Sequence, residues 1–259
     1  MPESFFGAVG FILQKYGSLF VSGTITTLIV ALTGTILGFG IGLLVAIGRT
    51  TEPRDGAGLL KRVLVRFSHG LLGAYIEVFR GTPMIVQAMV IYYGAMQYLG
   101  LKMPNLVAAI LIVSVNTGAY MAEIIRGGII SVDVGQTEAA HSIGMTHWQT
   151  MTSVVLPQAI RNIMPSIGNE FIVNIKDSSV LNVISVAELF FQSKSAAGTY
   201  FRYFEVFFIT AVIYLILTYS VTRLLRWVER RMDGPENYTI LGSQTDSRAA
   251  IKVEKGANK

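Results

Sequence analysis

The 259 residues are 52% hydrophobic and only 14% charged, with a mean hydropathy of +0.53 and a formal net charge of +5. A soluble domain carries about 25% charged residues, so the composition describes a membrane protein rather than a water-soluble domain. No cysteine is present, which excludes disulfides and thiol chemistry. His69, His141 and His147 show no metal-ligand spacing, so no metal site is expected.

The basic residues are concentrated. Arg49, Arg54, Lys61, Arg62 and Arg66 form one group, and Arg223, Arg226, Arg230 and Arg231 another. Both groups abut hydrophobic spans, which argues against nucleic acid as a partner. By the positive-inside rule they place 49–66 and the C-terminus in the cytoplasm. Residues 1–18 lack the basic start, apolar stretch and small-residue cleavage site of a signal peptide.

In chain order, residues 4–18 mix Phe5, Phe6, Phe11, Ile12 and Leu13 with Gln14 and Lys15, the pattern of a short interfacial helix. A first span is expected from Phe20 to Ile47, with Gly34, Gly38 and Gly42 every four residues so that another helix can approach closely. Residues 58–80 place Leu64, Phe67, Leu71, Tyr75 and Phe79 on one stripe of an amphipathic segment. At Arg80-Gly81-Thr82-Pro83, a Thr N-cap and a Pro at the first helical position predict a new helix, the second span, running to about Leu99. Gly100 to Pro104 turns the chain, and a third span is expected over Asn105 to Ile125.

Between that span and the next lies a small polar helix–turn–helix. Asp133 stands three residues before Gln136, the spacing of a capping box. Glu138 follows early in the helix, where its charge complements the dipole. Gly144 is placed to end the helix in a left-handed conformation. Thr146 and Gln149 repeat the capping spacing, and Pro157 limits or kinks the second helix. The first helix spans about ten residues, or ~15 Å, long enough to lie in a groove and too short to be stable alone. Taken by itself the segment is also compatible with an ordinary cytoplasmic loop of two capped turns.

The fourth apolar region, 158–191, is interrupted by Pro165 and by Lys176-Asp177-Ser178-Ser179, and the fifth span runs from Phe204 to Leu225. Five crossings with a cytoplasmic C-terminus put the N-terminus outside and loop 126–157 inside. From Asp233 onward the tail is polar and reads as disordered. The expected fold is therefore an all-α membrane protein of five transmembrane helices. Residues 1–18 form an interfacial helix, 19–230 the transmembrane domain and 231–259 a cytoplasmic polar tail.

Ionisable side chains inside a span are expensive and usually mark a pathway or a partner. Glu170, Asn174 and Asp177 fall at i, i+4 and i+7 and would share one face. Lys176 lies off that stripe beside Asp177, and Pro165 and Gly168 weaken the helix ladder just upstream. Asn116, Tyr120 and Glu123 repeat the spacing in the third span, where Glu123 pairs naturally with Arg126. Glu77 and Arg80 are i, i+3 neighbours just before the Thr82-Pro83 helix start.

Glu138-Ala139-Ala140, three residues, Gly144, nine residues, Val154, one residue and Leu156-Pro157 resemble the EAA signature of binding-protein-dependent ABC importer permeases, with Val154 in place of Ile. The segments EVFRGTPMIVQ (77–87), NTGAYMAEIIRGGIISVDVGQTEAAHSIGM (116–145) and NEFIVNIKDSSVLNVISVAEL (169–189) resemble the polar amino acid subgroup, and the resemblance covers roughly residues 19–230. It implies the ABC type I importer transmembrane fold, and it makes loop 133–150 a coupling helix docked on a separate ATPase subunit dimer through Glu138, Ala139, Ala140, Gly144 and Met145. It also implies an extracytoplasmic amino acid-binding protein, a second permease chain in a homo- or heterodimer, and residence in the bacterial cell membrane amid lipid. The chain has no GxxxxGK[ST] phosphate loop, so ATP and Mg are expected on the partner and no cofactor or catalytic residue in this chain.

A zwitterionic amino acid needs a cation for its carboxylate and an acceptor for its ammonium. Lys176 with Asp177 or Glu170 would supply both, with Asn174, Ser178 and Arg80 as further pathway candidates. The alternatives are an internal ion pair at Lys176 and a helix-tying role for Arg80. The competing function is an ion-coupled secondary transporter of amino acids, using Asp177 and Glu170 as ion ligands. The chain is short for inverted repeats and shows no internal duplication.

Overall fold

The computed structural model describes residues 2–50, 58–232, 238–239 and 252–253. Nine α-helices among the described residues follow in order: α1 (Phe5–Thr50), α2 (Leu59–Gly81), α3 (Met84–Leu99), α4 (Asn105–Ile130), α5 (Val134–Ser142), α6 (His147–Thr150), α7 (Leu156–Asp177), α8 (Leu189–Tyr200) and α9 (Tyr203–Met232). A π-helical turn, Met151–Val155, precedes α7, and a 3-10 turn, Ser178–Ile184, follows it. Among the described residues, α1, α4 and α9 are long and apolar enough to cross a membrane, while α3 is a shorter apolar helix. Arg54 and nearly all of the tail expected to be disordered lie outside the described residues. The described tail residues form a two-residue antiparallel pair, Tyr238–Thr239 with Lys252–Val253.

The glycine ladder of α1 lies against α4. A Cβ on Gly34 would meet Val113 at 2.4 Å, one on Gly38 would meet Thr117 at 2.8 Å, and one on Gly42 would meet Met121 at 2.5 Å. Both partners advance by four residues together, so α1 and α4 run parallel with backbones in near contact. Two return passes are implied. Gly48 faces Leu72, and Val45 clusters with Ile76, so α2 climbs antiparallel to α1. The chain then breaks at Thr82-Pro83 and continues as α3, whose Ala88 packs with Ala109 and Ile112. The expected second span and the amphipathic segment before it are therefore two halves of one pass. Likewise α7 climbs antiparallel to α4, with Gly128 against Ile163 and Thr117 bonded to Asn174, and the 3-10 turn and α8 complete the pass. Helix α9 returns, seating Leu225 on Gly168. The chain thus traverses the bundle five times.

Several local expectations are corrected. No separate helix covers residues 1–18: α1 is continuous over 46 residues. Lys15, part of the expected interfacial pattern, bonds the Tyr200 hydroxyl and lies 5.0 Å from that ring's centroid, so it is held by aromatic rings on the continuous helix. Pro83, not Thr82, is the N-cap of α3. Helix α2 runs through Gly81, and Thr82 Oγ1 donates back to the Val78 carbonyl at 2.7 Å. Asp133 caps α5 without Gln136, because Gly135, lacking a side chain, brings its N–H to Asp133 Oδ1 at 2.7 Å. Glu138 sits in the second turn of α5, beyond the reach of the dipole. Neither proline ends a helix. Pro157 follows the π turn, where the ladder re-registers as Leu156 donates to Met151, and Pro165 stays inside α7. Gly168 serves the contact with α9 rather than freeing peptide groups.

Candidate functional site

The expected α7 stripe survives intact. Glu170, Asn174 and Asp177 line one cavity of about 300 Å3 together with Val173, with Asn116 and Tyr120 of α4, and with Thr82, Pro83 and Met84 at the break between α2 and α3. A helix interrupted at such a cavity is tolerated only where the freed backbone groups find partners or water. Here one side chain satisfies two of the carbonyls. Gln87 Nε2 donates to the carbonyls of Phe79 (3.0 Å) and Thr82 (2.8 Å) and to Thr82 Oγ1 (2.9 Å). Its Oε1 accepts from Asn116 Nδ2 at 2.8 Å, tying the break to α4. Thr82, Pro83, Met84, Gln87 and Val173 were not among the sequence candidates. The Thr-Pro step alone signalled that the backbone changes course there.

The candidates divide on inspection. Asn174 touches the cavity, but its amide is committed to structure. Nδ2 donates to Thr35 Oγ1 at 2.9 Å, and Oδ1 accepts from Thr117 Oγ1 at 3.2 Å, which joins α1, α4 and α7 in a buried knot. Ser178 is buried and donates to the Ile175 carbonyl, away from the cavity wall. Lys176 is exposed, does not line the cavity and makes none of the described ion pairs, so the Lys176–carboxylate pair is not formed. Arg80 is exposed, with its guanidinium 5.6 Å from the centroid of the Tyr120 ring, a cation–π contact with a cavity wall. Glu123 takes Arg126 at 2.8 Å and Arg49 at 3.2 Å, the structural pair expected within α4, extended to α1.

At the other end of α4, the two-helix loop forms as its caps dictate. Gly144 adopts φ +84°. The Gly144 N–H donates to His141 and the Met145 N–H to Ala140, the paired bonds of a Schellman C-terminus. Thr146 and Gln149 complete a reciprocal capping box. Glu138, Ala139 and Gly144 are exposed, Met145 is half-buried, and Ala140 is buried. Ile143 and Trp148, 78% and 73% exposed among the described residues, flank the turn with apolar surface. Neither belongs to the signature that drew attention to the loop.

Residues 56–234 match the family described as binding-protein-dependent transport system inner membrane component. The glutamine transport system permease protein GlnP of Escherichia coli (strain K12) is 38% identical over 215 residues, which cover 83% of this chain and 93% of the relative. The arginine transport system permease protein ArtQ of Bacillus subtilis (strain 168) is 38% identical over 158 residues, 61% of this chain and 72% of the relative. A crystal structure of an amino acid ABC transporter with histidines superposes at TM-score 0.77 with 40% identity, covering 89% of this chain and all of that one. A MetNI methionine ABC transporter in an inward-facing conformation superposes at TM-score 0.66 with 22% identity over 83% of this chain and 96% of that one, a likeness of fold.

Proposed function

The chain belongs to the family of inner membrane components of binding-protein-dependent transport systems, and from that membership we propose how it divides labour with its partners in an ATP-driven amino acid importer. This chain is the permease, and residues 19–230 form its membrane-embedded transport unit. It pairs with a second permease chain, takes its solute from an extracytoplasmic binding protein and is driven by a dimer of separate ATPase subunits that hold ATP and Mg. The N-terminus lies outside, and the C-terminus and the α5–α6 loop lie in the cytoplasm, as the basic last turn of α9 favours.

The solute is a polar or charged L-amino acid. One observation carries that reading: the carboxylates Glu170 and Asp177 meet the broken α2–α3 pass in a single cavity between α4 and α7. Two carboxylates there are costly alone and become favourable around a cation, and an ammonium group supplies one. Arg80, stacked on Tyr120, offers the opposite charge for the solute carboxylate, a role assigned to it in place of Lys176. An ion-coupled carrier would use the same carboxylates, but family membership favours the ATP-driven mechanism.

The α5–α6 turn transmits the drive. Its exposed residues Glu138, Ala139 and Gly144 and the half-buried Met145 meet the ATPase, while Ala140 is buried. In proteoliposomes holding the full complex, Glu138→Lys and Gly144→Pro are expected to uncouple ATP hydrolysis from uptake while the permease still inserts and assembles. Normal solute-stimulated hydrolysis and uptake in both variants would remove the loop from this role.

A further inference from the structure

Two more cavities continue the solute cavity toward the coupling loop. One, of about 400 Å3, is bounded by Pro165, Ser166, Asn169 and Glu170 of α7 and by Ile124 of α4, and it shares Glu170 with the solute cavity. The next, of about 300 Å3, shares Ile124 and Ser166 with the second and reaches Ser131 and Asn162. Joined end to end, the three make a furrow between α4 and α7 from Asn162 to Asp177, roughly 22 Å at 1.5 Å per residue. The α7 side is polar and exposed along this length, at Asn162, Ser166, Asn169 and Asp177. A membrane helix does not turn such a face to hydrocarbon; it turns it to the bundle interior or to water. On the α4 side Gly127 contributes no side chain, and a Cβ there would meet nothing within 4 Å.

One contact spans the far mouth. Asn162 Nδ2 donates to Ser131 Oγ at 2.9 Å, an exposed bond between two short side chains that water can replace. Ser131 is the C-cap of α4 and stands two residues before Asp133, the cap of α5. Any displacement of α5 therefore pulls directly on the residue that bridges the furrow.

We infer that this furrow is the route by which the solute leaves the central cavity toward the coupling loop, and that the Ser131–Asn162 bond is a latch across its mouth released by movement of α5. The inference rests on the central cavity being the solute site, so its test reads the furrow by chemistry that does not depend on solute recognition. The chain has no cysteine, which makes it a clean background for single-cysteine probes. In the reconstituted full complex, Ser166→Cys and Asn169→Cys are expected to react with a charged, membrane-impermeant thiosulfonate at least tenfold faster than Ile160→Cys, on the opposite side of α7. Adding Asn162→Ala should raise the Ser166→Cys rate severalfold. Ser166→Phe should cut uptake at least tenfold. Equal reactivity at Ser166→Cys, Asn169→Cys and Ile160→Cys would overturn the furrow whether or not Ser166→Phe folds. An unchanged rate on adding Asn162→Ala would overturn the latch. Failure of the solute-site reading would show separately, as unaltered transport by Asp177→Asn.

Discussion

Against α1, helix α4 packs along a ladder of three glycines with backbones nearly touching; against α7, the same helix closes tightly at Gly128 and Ile163 but elsewhere leaves three connected cavities. The first seam is made by residues that remove side chains, Gly34, Gly38 and Gly42, facing Val113, Thr117 and Met121. The second face presents Asn116, Tyr120 and Glu123, with Glu170, Asn169 and Asp177 across the gap. In a bilayer, where water does not drive apolar helices together, close van der Waals packing supplies the cohesion, so the glycine seam is the rigid frame. The polar face gives up that cohesion, and in the proposed function it belongs to the part that must bind, release and move. The buried Asn174 knot fastens the two halves at one height, and Gly128 against Ile163 does so nearer the α5–α6 loop.

This contrast can be broken from either side. The largest effect is expected at Gly42→Leu, whose Cβ would lie 2.5 Å from Met121 Cβ and 2.8 Å from the Ala122 backbone nitrogen. Backbone does not yield as a flexible side chain does, so the loss should reach or exceed about 3 kcal/mol, the upper end for overpacking, measured by thermal unfolding of the purified protein in detergent. Next, Asn174→Leu strands the Thr117 hydroxyl and unties α1 from α7, at roughly 1–3 kcal/mol. Asp177→Asn, one turn away on the open face, should leave unfolding unchanged and abolish uptake. If the two variants behave alike in both assays, frame and pathway are not separable. Gly144→Ala forces a side chain into the left-handed region at roughly 1–2 kcal/mol, an effect confined to the coupling turn and visible as fewer solute molecules moved per ATP. The smallest change is expected for Arg49→Gln. Arg126 still holds Glu123, and a partly exposed pair contributes about 0–1 kcal/mol, so its melting curve should nearly superimpose on that of the parent.

What could be read in advance follows the same division. Periodic features were legible because helix geometry alone decides them: the glycine ladder, the Glu170–Asn174–Asp177 stripe, and the caps at Gly144 and Thr146. Features that depend on a distant partner were not. Lys15 fits the pattern of a short interfacial helix, because Tyr200, which receives it, is 185 residues away. Nothing local distinguishes Gln87 from any other polar residue in an apolar helix, yet its amide holds together the break that lines the cavity. Lys176 looked like half of a charge pair because it adjoins Asp177, but neighbours in sequence on a helix point about 100° apart, and only Asp177 reaches the cavity. Pro165 read as an interruption, whereas helix neighbours keep α7 continuous through it.

The central claim is that motion generated by ATP in a companion subunit enters this chain through the α5–α6 turn and drives an amino acid through the α4–α7 face. The most direct measurement is uptake of radiolabelled amino acids into vesicles containing the permease with its binding protein, with and without the ATPase subunits. Accumulation that requires the ATPase and ATP, and that stops in Glu138→Lys, is the predicted result. Accumulation by the permease alone, driven by an ion gradient and indifferent to ATP, would contradict it.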